Sequence, residues 1–85
     1  MSATTAFRAT SITFQPVAGD ATQVADKVHL MVRAGTLSWR PYNGGTAQSV
    51  SGVLSVERAG NRTFRITTAD GVYTAVQDRN CGCRG

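Results

Sequence analysis

The chain has 85 residues, of which 41% are hydrophobic and 16% charged, with a formal net charge of +4. A chain this short buries only about 60% of its unfolded surface and supports one domain, and its ordinary globular composition excludes a wholly disordered chain. No apolar run approaches the roughly 18 residues that span a bilayer.

Residues 1–10 are polar and rich in Thr and Ala, without a basic stretch leading into an apolar one. The expectation is a chain without a secretory signal, located in the cytoplasm, or in a virion if viral. The Asn61-Arg62-Thr63 sequon is then not a glycosylation site. From Ala6 onward, Thr, Val, Ile and aromatic residues alternate with polar ones between turn signals, the pattern of short strands. The first strand runs over 6–15, with Ile12 and Phe14 on one face and Arg8 and Thr10 toward the edge, and Pro16 ends it. Residues 20–26 allow a short helix with Asp20 as N-cap and Gln23 completing a capping box, or an irregular loop.

Ala34-Gly35 reads as a two-residue hairpin turn. It opposes Val32 with Leu37, Leu30 with Trp39 and Val28 with Pro41 on one face. Lys27 with Tyr42, His29 with Arg40 and Met31 with Ser38 fall on the other, a separation that a one-residue slip would reverse. A loop at 43–46 sets Trp39 against Val50 and Leu37 against Gly52, with Gly52 leaving room for the core or marking a bend in a fourth strand over 47–57. A three-residue turn at 59–61 pairs Val56 with Phe64 and Leu54 with Ile66; a turn at 69–71 pairs Phe64 with Val76 and Thr68 with Val72. The expected fold is all-β: a six-stranded antiparallel meander closed as a small barrel or folded as a two-layer sandwich. Residues 1–79 form the domain and 80–85 a short tail. The expected core is Ile12, Phe14, Val28, Leu30, Val32, Leu37, Trp39, Val50, Leu54, Val56, Phe64, Ile66, Val72 and Val76. Unpaired edges on the first and last strands make a homo-oligomer an expected support.

The charge is uneven. Residues 1–26 carry a net −1, residues 66–85 balance, and residues 27–65 set Lys27, Arg33, Arg40, Arg58, Arg62 and Arg65 against Glu57 alone, a net of +5. Arg dominates, offering forked donors suited to phosphate or carboxylate, although a GC-rich genome produces the same bias. The candidate macromolecule-binding residues are Lys27, His29, Arg33, Arg40, Tyr42, Arg58, Arg62 and Arg65, interleaved with hydroxyls, with Tyr42 or Tyr73 placed to stack on a base. Read structurally, the same residues are the solvated face of a sheet, and Glu57 pairs with Arg58, Arg62 or Arg65.

Cys81-Gly-Cys83 is too tightly spaced for an unstrained internal disulfide. The thiols stay reduced, join chains in an oxidising medium, or supply half of a zinc site completed by His29, Asp78 or a second subunit. No cofactor is expected, and zinc is the only one the cysteines leave open. Catalytic motifs are absent: there is no G-x-S-x-G elbow, no phosphate-cradling loop, and only Asp26 as a sequence neighbour to orient His29. The leading expectation is a non-catalytic module whose basic face binds nucleic acid or an acidic protein. The alternatives are an assembly subunit, such as a small virion component, self-associating through strand edges and the tail, and a small zinc-binding domain.

Overall fold

A computed structural model describes residues 5–78. It is all-β, with seven strands: β1 (Thr5–Pro16), β2 (Thr22–Arg33), β3 (Thr36–Pro41), β4 (Gln48–Ser51), β5 (Val53–Arg58), β6 (Thr63–Thr68) and β7 (Gly71–Gln77). They form one antiparallel sheet in the order β4-β3-β2-β1-β7-β6-β5. β4 and β5 are consecutive in the chain yet occupy opposite edges, so the chain passes from one edge to the other through Gly52 alone. That passage requires the sheet to curl, and its inward rings meet across the interior: Trp39 of β3 lies 5.9 Å from Tyr73 of β7, and Phe7 of β1 lies 4.5 Å from Phe64 of β6, between ring centroids. No ladder joins β4 to β5, so the sheet is not closed into the expected barrel, nor is it split into a sandwich.

The β2–β3 hairpin follows from its turn. Ala34 and Gly35 have φ of 52° and 76°, the pair of positive values that a type I′ turn requires, and its twist matches that of the flanking strands. Every expected pair from Val28–Pro41 to Val32–Leu37 is present, and Val28, Leu30, Val32, Leu37 and Trp39 are buried. The fourth expected strand is bent at Gly52, with φ of 84°, into β4 paired to β3 and β5 paired to β6.

Several expectations are corrected. Residues 20–26 contain no helix, because β1 stays extended to Pro16 and offers its backbone to Thr22, Gln23, Ala25 and Asp26. β1 and β7 are not edges, because they pair with each other. Leu37 faces Val50, and Trp39 faces Gln48, two residues from the expected register; the 42–47 connection is tightened by bonds from Gly44 N to Pro41 O and from Gly45 N to Asn43 Oδ1. Val56 faces Ile66, again two residues off, and a bulge between Val53 and Ser55 turns Leu54 out of the core, leaving it 69% exposed. Between β6 and β7 the slip is one residue: Phe64 faces Ala75 and Thr68 faces Gly71. One residue exchanges the faces of a strand, so Tyr73 and Ala75 are buried and Val72 and Val76 are only half-buried.

The core is completed by Ala9 and Ile12. Both point inward although three residues apart, as do their partners Val28 and Ala25, so β1 and β2 change parity at the same level. Lys27 marks this point on β2 with a left-handed φ of 51°, a costly conformation for a residue with a side chain. Gly71 fixes the other junction. A Cβ there would strike the Gln15 carbonyl oxygen and lie 2.8 Å from Pro16 Cα, so only glycine lets β7 approach the end of β1.

Candidate anion-binding face

The parity change has a functional consequence. It turns Arg8 outward, directly opposite His29, while the hairpin register puts His29 directly opposite Arg40. Three adjacent strands therefore carry a cross-strand row, Arg8, His29 and Arg40, spanning roughly 10 Å at the usual strand spacing. All three side chains are exposed.

Tyr42 closes one end of this row. Its hydroxyl donates to Asp78 Oδ2 at 2.9 Å, its ring lies 4.9 Å from the His29 ring, and the Arg8 guanidinium carbon sits 5.6 Å from its centroid. Asp78 is held in turn by its own N–H, which donates to Arg8 O at 2.8 Å. Beside the row lies an open groove of about 560 Å³ whose lining includes Ala6, Met31, Ser38 and Ala47 with all three row residues. Arg33 follows on the same outward parity of β2, opposite Thr36. Among the described residues, neither Arg33 nor Arg40 makes an ion pair.

Lys27 adjoins this cluster, as its carbonyl accepts from Tyr42 N–H at 3.0 Å and it lines, with Tyr42, Trp39 and Pro41, a second groove of about 490 Å³. The remaining arginines lie elsewhere. Arg65 of β6 faces Glu57 of β5 and pairs with it at 3.5 Å, the partner expected for that carboxylate. Arg58 donates to Asn61 O at 3.0 Å and lays its guanidinium 5.6 Å from the Phe64 ring centroid, sheltering the end of the core. Arg62 is exposed in the β5–β6 connection, and its carbonyl accepts from Gln77 N. The structure thus gathers His29, Arg33, Arg40 and Tyr42, and separates them by β1 and β7 from Arg58, Arg62 and Arg65.

Tyr73 is not available to stack on a base. It is 9% exposed, 4.5 Å from the Phe14 ring, and its hydroxyl pKa is raised above the ordinary 10.0, first by burial and then by the negative charge of Asp70. Sequence reasoning missed Arg8, because strict alternation from Ile12 and Phe14 gives Arg8 the core parity; its signal was the pairing of β1 with β2. Cys81 and Cys83, with the zinc site they would share, lie outside the described residues. Among the described residues, no three His, Cys, Asp or Glu side chains gather as a metal group, and no helix is long and apolar enough to cross a membrane. No known protein family, curated protein or solved structure matches the chain.

Proposed function

We propose that this protein is a non-catalytic binding module that docks an anionic macromolecule, nucleic acid or acidic protein, on the outer face of β1, β2 and β3. The observation that carries the reading is the row Arg8, His29, Arg40, whose members are direct cross-strand partners. Arg8 and Arg40 flank His29 on the exposed face, so the row presents a guanidinium group on each side of an imidazole. Phosphates or carboxylates lying along the row would meet guanidinium forks, which suit both.

The test is affinity for two polyanions, a single-stranded oligothymidylate and polyglutamate, as a function of salt. Binding by either should weaken steeply between 50 and 200 mM salt (assay settings; roughly tenfold or more if several contacts form), and Arg40→Ala should weaken it further while Arg65→Ala leaves it nearly unchanged. Salt-independent binding, or equal losses in the two variants, would count against the face.

A second reading, the assembly subunit, has one observation in its favour: Leu54 is exposed on the open edge strand β5. Light scattering at high concentration tests it, with Leu54→Ser as the variant that should dissociate any oligomer formed there.

A further inference from the structure

We propose that the free edge of β4 receives an extended acidic peptide, which adds to the sheet as a further strand and places carboxylates against Arg40. This rests on the reading of the outer face as anion-binding. The two sheet edges differ in the way that matters for strand addition. β5 is guarded by the bulge at Leu54 and by Glu57 and Arg58, devices that keep edges from pairing. β4, with the sequence Gln48-Ser49-Val50-Ser51, has no charge, proline or bulge.

Register identifies the atoms that would pair. A two-residue turn makes Arg33 and Thr36 a hydrogen-bonded pair. By the alternation of an antiparallel ladder, Leu37 and Trp39 then bond toward β4, where they face Val50 and Gln48. Ser49 and Ser51 are left presenting their N–H and C=O groups to the free edge. The small Ala47 lines the same groove as Arg40, so the guanidinium is not screened from that side by a bulky neighbour.

A peptide suits this surface better than a nucleic acid. Sequence-tolerant binding of single strands relies on exposed aromatic faces. Here the Tyr42 ring meets His29 and Arg8, its hydroxyl is engaged by Asp78, and Trp39 and Tyr73 are buried. Next to β4 the outer face instead offers Arg40 and the small Ala47, so the acidic side chains of an added strand that share that face would lie beside a guanidinium, while its alternate apolar side chains turn to the other face.

The probe is a capped heptapeptide of alternating Glu and Val, since main-chain hydrogen bonds supply most of the affinity in strand addition and tolerate sequence. Two further versions are N-methylated on alternate residues, one on each set. Titration into the whole chain should shift the backbone amide resonances of Ser49 and Ser51. One methylated version should bind about tenfold more weakly than the parent, as should the parent to Ser49→Pro, which removes an edge donor and leaves the β3 ladder intact. Equal binding by all three peptides, or shifts away from β4, overturns the inference. So does a dimer that forms without peptide and is abolished by Ser49→Pro, which makes the occupant a second copy. If oligothymidylate binds in an Arg40-dependent way and the peptide does not, strand addition fails while the anion-binding face stands. If no polyanion binds, both fail.

Discussion

The two wings of the sheet treat their arginines differently. On the β5–β6 side, Arg65 meets Glu57 and Arg58 covers Phe64 while bonding Asn61 O, so each has a local structural use. On the β1–β3 side, Arg8 and Arg40 flank His29 in a cross-strand row, and Arg40 has no ion pair among the described residues. Net charge alone could not separate these cases. What distinguishes them is that Arg58 and Arg65 are engaged by neighbours of their own wing, whereas Arg40 makes no ion pair among the described residues.

The largest expected effect tests how the wings are joined. Gly71→Ala forces a Cβ into the Gln15 backbone where β7 meets β1, and should cost about 2–4 kcal/mol, read as a lower denaturation midpoint. A loss below about 0.5 kcal/mol would mean that β7 is not held so closely.

Next comes Tyr73, whose ring packs on Phe14 of β1 and Trp39 of β3. Its hydroxyl keeps its proton in the folded chain at a pH where the unfolded chain has released it. The associated stability is complete below about pH 10 and is lost as pH rises from there through the raised value. Denaturation midpoints of wild type and Tyr73→Phe should therefore run parallel up to about that pH, after which the wild type falls faster. Parallel curves throughout would show that Tyr73 ionises as freely in the folded chain as in the unfolded one.

The smallest effect separates the wings by sign. Arg65→Ala should destabilise by at most about 1 kcal/mol, the worth of an exposed ion pair. Arg40→Thr should stabilise by a few tenths of a kcal/mol, because it substitutes a good strand former for an exposed residue that makes no ion pair among the described residues. Chemical denaturation of both variants at low salt checks this, and losses of equal size would erase the contrast.

Much of the sheet was legible because alternation of apolar and polar residues fixes parity. Val28, Leu30, Val32, Leu37 and Trp39 left only one acceptable register around Ala34-Gly35, and that register positions His29 against Arg40. Parity cannot detect a slip of two residues, which is how Leu37 was matched to Gly52 instead of Val50 and Val56 to Phe64 instead of Ile66. In β7 even parity is ambiguous, since Val72, Tyr73, Ala75 and Val76 supply apolar candidates to both faces. The parity change beside Lys27 has no composition signal at all, and with it went Arg8. The candidate site was therefore two-thirds readable, through the hairpin, and the last third depended on a pairing between β1 and β2 that only the assembled sheet displays.

The most direct measurement is a residue-by-residue map of backbone amide shifts as a polyanion is titrated into the protein at low salt. Our account predicts shifts concentrated at Arg8, His29, Arg33 and Arg40, reversed by added salt, with Glu57, Arg58 and Arg65 little changed. Shifts centred on Arg58, Arg62 and Arg65, or spread evenly over both wings, would contradict it.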